Sequence, residues 1–123
     1  MIKRILVIAA VFLLINVTDT QAASLEDSLT FKVTIIEGNV EYEWEYNNPD
    51  EFEYEHGETV VKDGQARREV MKMFRYLNVS PDAEVEKMVT RLKKDGHDTI
   101  ERLEVRWINS NEKLYTWVWH KKK

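Results

Sequence analysis

Histidines, serines and neighbouring carboxylates are the side chains of this sequence that could support catalysis or metal binding. His56, His97 and His120 stand alone, without the paired histidines or the H-E-x-x-H pattern that holds zinc. No serine falls in a nucleophile motif, and the glycines are scattered singly rather than grouped in a phosphate-binding loop. The sequence therefore predicts no catalytic residue, no metal site and no cofactor.

One short segment keeps an enzymatic alternative open. Glu55, His56 and Glu58 bring two carboxylates close to a histidine, and such groups can share general acid–base work. The pattern is faint because it lacks a nucleophile. A small extracellular hydrolase is therefore the alternative to a non-enzymatic protein.

An acidic run from Glu37 to Glu58 holds nine acidic residues and no basic one. Strand alternation places Glu41, Glu43 and Glu45 on one face, in steps of about 7 Å. Calcium instead takes six to eight oxygens that converge at about 2.4 Å. We therefore expect a solvated strand face that also protects the sheet from edge-to-edge pairing, with weak cation binding as the alternative.

Aromatic residues crowd the C-terminal part of the chain, at Trp107, Tyr115, Trp117 and Trp119. The length of the loop between the two predicted strands decides where their rings point. A three-residue loop, Ser110 to Glu112, opposes Trp107 to Tyr115 and buries the rings under the helices. A two- or four-residue loop turns the last three rings to the open face, near Arg106.

The second arrangement predicts a binding surface, since exposed aromatic rings flanked by charges are typical of protein, peptide or glycan recognition. We expect a secreted, small, non-enzymatic domain that binds another protein or a cell-wall polymer through an open sheet face. The residues of this candidate surface are Glu41, Glu43, Glu45, Arg106, Trp117 and Trp119.

Period-two alternation predicts the strands that would carry this surface. The turn dipeptide Gly38-Asn39 separates two alternating runs, and one register pairs apolar residues on one face and polar residues on the other. The apolar pairs are Ile35 with Tyr42, Val33 with Trp44, and Phe31 with Tyr46. Phe52 and Tyr54 alternate with glutamates as a possible short extension, and residues 103–107 and 114–120 form a second hairpin.

Two amphipathic helices lie between the hairpins. Asp63 is the predicted N-cap of the first, and Asn78 ends it. Ser80 is the predicted cap of the second, with Pro81 at its first position and Gly96 as its stop. The fold class is therefore α+β, in the order β-β-α-α-β-β, with a four-stranded antiparallel sheet and both helices packed on one face.

Residues 1–23 have the layout of a cleavable secretory signal peptide. Lys3 and Arg4 precede an apolar run, and small residues follow where a signal peptidase would cut, after Ala22 or Ala23. The apolar run of about 13 residues is shorter than the roughly 20 that span a bilayer, so a retained anchor is the weaker alternative.

The mature region, residues 24–123, has the length of one small domain. The whole chain has a net charge of −4, and removal of the leader, which holds Lys3, Arg4 and Asp19, leaves −5. This acidic balance disfavours nucleic acid as a partner, because phosphates are bound by clustered lysine and arginine. Cysteine is absent, which excludes disulfides and a cysteine-linked lipid anchor and implies free secretion. The oligomeric state is left open.

Four segments carry a resemblance to a known family: Gly64-Gln65-Ala66, Met73 to Val79, Ser80 to Leu92, and Leu103-Glu104-Val105-Arg106-Trp107. They resemble the C-terminal half of the YusW-like family, small extracytoplasmic proteins of Bacillus-type bacteria, and the resemblance extends over residues 31–119. The resemblance implies an extracytoplasmic location and a Bacillus-type bacterium as the host. It assigns no activity to particular residues.

Overall fold

The computed structural model describes residues 23–123, so the predicted signal peptide lies, except for Ala23, outside the described residues. The elements are β1 (Thr30–Glu37), β2 (Val40–Asn47), β3 (Glu51–His56), β4 (Thr59–Lys62), α1 (Asp63–Tyr76), α2 (Val85–Lys94), β5 (Arg102–Ile108) and β6 (Leu114–His120). No helix in this part of the chain combines the length and the apolar character that crossing a membrane requires.

The strands form one antiparallel sheet in the order β4-β3-β2-β1-β5-β6. The predicted α+β class is confirmed, but the prediction of four strands was wrong. Phe52 and Tyr54 do not merely extend β2, because they form a separate strand whose aromatic rings lie beside Tyr46 and Trp44. Gly57, at φ +61°, then turns the chain back into β4.

The first hairpin has the register that the alternation predicts. Phe31 opposes Tyr46, Val33 opposes Trp44, and all apolar pairs lie on one side of the sheet. Strand β1 is central, since β5 pairs along its other edge. Its inward side chains are fully buried, so this strand is the middle of the hydrophobic core.

Helix α1 packs on the apolar side of the sheet through Ala66, Val70, Met73 and Phe74. The Phe74 ring meets the Phe31 ring edge-on, with 5.0 Å between centroids. The helix begins at Asp63 itself, and Lys62 occupies the capping position without a side-chain hydrogen bond, so the predicted Asp63 cap was wrong. Asn78 follows the helix in the left-handed region, at φ 54°, as predicted.

Helix α2 is shorter than the sequence predicts, because it begins at Val85 rather than at Pro81. The Ser80 hydroxyl still accepts a hydrogen bond from the Asp82 N–H at 3.2 Å, but within a turn. The carbonyl of Ala83 accepts from the Trp117 indole N–H at 2.8 Å, a tertiary bond that draws this segment toward β6. The helix ends at Lys94, and Gly96, at φ 102°, follows as the predicted stop.

The second hairpin adopts the register of the three-residue loop. Trp107 opposes Tyr115 and Val105 opposes Trp117, while the Asn109 N–H donates to the Lys113 carbonyl just outside the loop. Both helices therefore cover the side of the sheet that carries the large rings. We call this side the packed face and the other side the open face.

Candidate binding face

The open face is built by the side chains that alternate with the core residues. Its centre is charged, and the three large apolar side chains that the structure leaves most exposed also lie on it. Across the sheet from β4 to β6, two registered rows are Lys62, Glu53, Glu45, Lys32, Arg106, Thr116, and Val60, Glu55, Glu43, Thr34, Glu104, Val118.

One half of the open face is strongly acidic. We define the acidic half as the glutamates of strands β2 and β3 that lie on this face, which are Glu41, Glu43, Glu45, Glu51, Glu53 and Glu55. The register opposes Glu43 to Glu55 and Glu45 to Glu53. Like charges placed directly across a strand pair destabilise it, so an external positive charge would relieve a repulsion built into the sheet.

Two lysines neutralise part of the acidic half. Lys32 meets Glu43 at 2.9 Å and Lys62 meets Glu53 at 3.5 Å. The hydrogen bond to Glu43 raises the pKa of Lys32, against the smaller opposing effect of burial. Within the described residues, no such pair reaches Glu41, Glu45, Glu51 or Glu55, so the acidic half keeps an excess of negative charge.

The pKa of the Glu55 carboxyl is affected by this excess of negative charge. A hydrogen bond with Glu53 raises the pKa of the Glu55 carboxyl, and slight burial and the charges of Glu43, Glu53 and Glu41 raise it further. A carboxyl that resists ionisation among like charges lies in a region of negative potential. Such a region attracts cationic groups.

The six candidate residues from the sequence do not share one surface. Glu41, Glu43, Glu45 and Arg106 lie on the open face, but Trp117 and Trp119 lie on the packed face, half-buried. The three-residue loop, one of the arrangements that the sequence left open, is the one adopted, so both tryptophans face the helices and their inclusion in the candidate surface was wrong. Trp117 bonds to the chain before α2, and the Lys93 ammonium lies 5.5 Å from the Trp119 ring centroid.

Sequence reasoning missed the apolar part of the open face. Val60, Leu114 and Val118 are 51%, 48% and 43% exposed. Leu114 and Val118 occupy the edge strand β6, and Val60 the edge strand β4. The signal for Leu114 and Val118 was the alternation along β6, since inward rings at Tyr115 and Trp117 require outward neighbours.

Two of the three residues of the hydrolase alternative, Glu55 and His56, are not brought together. Glu55 and His56 are neighbours in β3, so their side chains point to opposite faces. His56 stacks on Tyr42, with ring centroids 4.5 Å apart, on the packed face. The grouping of His56 with Glu55 therefore does not form.

A different histidine has a carboxylate partner that the sequence did not predict. The Nδ1 atom of His97 bonds to the Oε1 atom of Glu37, sixty residues away, and the Thr99 hydroxyl donates to Oε2 at 2.7 Å. Partial burial would raise the pKa of Glu37, but the hydrogen bonds from His97 and Thr99 outweigh it and lower this pKa. The pair ties the first hairpin to the segment after α2.

No group of three or more potential metal-ligating side chains converges within residues 23–123. A scan against protein-family models, a search of curated proteins and a search of solved structures found no match.

Proposed function

We propose that this chain is a small, secreted, non-enzymatic binding module whose open face engages a basic segment of another protein. One observation carries the proposal: the acidic half concentrates six glutamates on two adjacent strands and offsets them with two lysines. The raised pKa of Glu55 supports it, because it reflects the same excess of negative charge.

The acidic half and the apolar edge suggest two kinds of contact. Lysine or arginine side chains of the partner would pair with Glu41, Glu45 and Glu55. Apolar side chains of the partner would cover Leu114 and Val118, which are exposed on β6. Charged contacts of this kind set orientation and association rate, and the apolar contacts add affinity.

A protein partner is favoured over a cell-wall polymer by charge. Anionic polymers are repelled by the acidic half for the same reason that nucleic acid is. The predicted leader, cut after Ala22 or Ala23, would bring the domain to an extracytoplasmic partner. Membership of the YusW-like family, which the sequence resembles, is part of the same proposal.

Nuclear magnetic resonance with a defined probe tests the proposal. A lysine-rich peptide of about ten residues is titrated into the isotope-labelled secreted protein, and the perturbed amides are mapped. We expect saturable shifts centred on β2 and β3, and about tenfold weaker binding of the double variant Glu41→Gln/Glu55→Gln at low salt.

The matched control removes two negative charges from the helix layer instead, in the variant Asp82→Asn/Glu86→Gln. Both positions are exposed and far from the open face. Equal loss of affinity in the two double variants would mean that the peptide responds to net charge alone, which contradicts a specific face. Binding to purified cell-wall polymer that survives the Glu41/Glu55 substitutions would instead support the polymer as partner.

A further inference from the structure

A cavity of about 130 Å³ lies on the packed face, between strands β2 and β3 on one side and α1 and the segment after α2 on the other. The rings of Trp44, Tyr54 and Tyr76 line it, together with the imidazole of His97 and the side chain of Met73. An apolar cavity of about 150 Å³ holds benzene. This aromatic cavity therefore has room for a group the size of a trimethylammonium head.

The rings of the aromatic cavity are held in place by contacts within the chain. Trp44 is buried, and its centroid lies 5.2 Å from that of Tyr54 at an interplanar angle of 33°. His97 stands nearly perpendicular to Trp44, at 84°, with its Nδ1 atom bonded to Glu37. The Tyr76 hydroxyl donates to the carbonyl of Arg91 on α2. Because the walls are ordered by these contacts, little conformational entropy is lost when a ligand enters.

Charge at the aromatic cavity favours a positive ligand. Glu69 and Asp95 line it, and the ammonium-bearing side chain there is Lys72. The Glu69 charge reaches the ring system, since burial and then the nearby Glu69 carboxylate raise the pKa of Tyr54. The two carboxylates outnumber the one ammonium group at the cavity.

Other aromatic side chains of the packed face are already covered by cations of the chain itself. The pairs, with distances from the cationic atom to the ring centroid, are Arg67 over Phe52 at 5.4 Å, Lys93 over Trp119 at 5.5 Å, and Lys113 over Tyr115 at 5.2 Å. Over the described part of the chain, no lysine or arginine lies in this way over a ring of the aromatic cavity. The rings that lie beside Glu69 and Asp95 are therefore not covered in this way by a lysine or arginine of the described residues.

We propose that the aromatic cavity binds a small organic cation of the quaternary or methylated ammonium class. Such a cation is attracted by electron-rich ring faces and by the Glu69 and Asp95 carboxylates, and its methyl groups pack against the apolar walls. A divalent metal ion fits poorly, because two carboxylates do not supply the six or more oxygens that calcium or magnesium takes. This site is independent of the open face, which lies on the other side of the sheet.

Titration with choline tests the proposal, and its uncharged isostere 3,3-dimethylbutan-1-ol serves as the comparison ligand. The readout is the indole N–H resonance of Trp44 in the isotope-labelled secreted protein. We expect choline to shift this resonance saturably and to bind about tenfold more tightly than the isostere, since the two differ in charge and not in shape.

Substitutions of residues that line the aromatic cavity test whether choline binds there. Tyr54→Leu should weaken choline binding about tenfold through loss of the ring. Glu69→Gln should weaken it about two- to fivefold, and Lys72→Gln should strengthen it. Tyr115→Leu is the matched control, because it removes an aromatic side chain of the same face that already has Lys113 above it, and it should leave the affinity unchanged.

Three results would overturn the proposal: equal binding of the isostere, an equal effect of Tyr115→Leu and Tyr54→Leu, or no saturable shift up to about 10 mM choline. If Tyr54→Leu loses the dispersed spectrum of a folded protein, the opposite effects expected of Glu69→Gln and Lys72→Gln decide the question. Both of those positions lie at the rim of the cavity, outside the hydrophobic core.

Discussion

The two faces of the sheet are made by the same strands and have opposite characters. On β1, Phe31, Val33 and Ile35 are fully buried under the helices, while Lys32 and Thr34 between them face outward. The packed face therefore carries most of the stability, and the open face carries most of the strand charge. Because the two roles alternate along each strand, the open face can be substituted extensively without loss of the core.

The aromatic rings of the packed face have different surroundings on its β6 side and on its β2 and β3 side. At the β6 side the rings of Tyr115 and Trp119 are capped by lysines of the chain. At the β2 and β3 side the rings instead line a half-open cavity beside Glu69 and Asp95. Thus one set of aromatic residues completes the fold, while the other set leaves a place for a ligand.

The largest expected effect comes from breaking the packed face at its centre. Phe31→Ala removes a fully buried ring that contacts Phe74, and we expect it to lower the free energy of unfolding by about 3–5 kcal/mol. Urea denaturation followed by circular dichroism gives the value. Thr34→Ala, on the open face of the same strand, is the matched control and should cost less than about 1 kcal/mol. Comparable losses would show that the faces do not divide the stability as described.

A smaller effect is expected at the charged end of the packed face. Glu37 has a lowered pKa, so its contribution to stability is present above its ordinary value of 4.5 and is lost as the pH falls through the folded-state pKa. Glu37→Gln should cost about 1 kcal/mol at pH 7. Below pH 4.5 the difference from the wild-type chain should shrink. Thermal unfolding at a series of pH values measures this, and a difference that does not depend on pH would contradict the role of the carboxylate charge.

The smallest effect is a gain on the open face. Because the pKa of Glu55 is raised, ionisation of this carboxyl disfavours the folded state, and the penalty grows as the pH rises through the folded-state pKa. Glu55→Gln should therefore stabilise the protein at pH 7, by about a few tenths of a kcal/mol given its solvent exposure. The gain should vanish at low pH and in about 1 M salt. Glu86→Gln, on the exposed side of α2, should give no such gain.

The local elements were largely predictable from the sequence. The Gly38-Asn39 turn and the alternation around it fixed the β1–β2 register, because a slip by one residue would bury glutamates and expose Trp44. The start of α2 was not predictable in the same way. Ser80 and Pro81 fit a helix start locally, whereas the hydrogen bond from Trp117 to Ala83 depends on a strand more than thirty residues further on.

The candidate site was predictable in part. Alternation alone placed Glu41, Glu43 and Glu45 on one face, but the separate strand β3, which completes the acidic half, depends on its pairing with β2. The aromatic cavity had no sequence signal at all, since Trp44, Tyr54, Tyr76 and His97 come from four separate segments.

Period-two patterning, turn residues and charge therefore determined which residues of each strand share a face. The tertiary structure decided which of the two faces the helices cover, how many strands the sheet has, and which distant side chains meet. The physical reason is that alternation is a property of the local backbone. Burial of a particular face and the pairing of Glu37 with His97, by contrast, require separate segments to pack against each other.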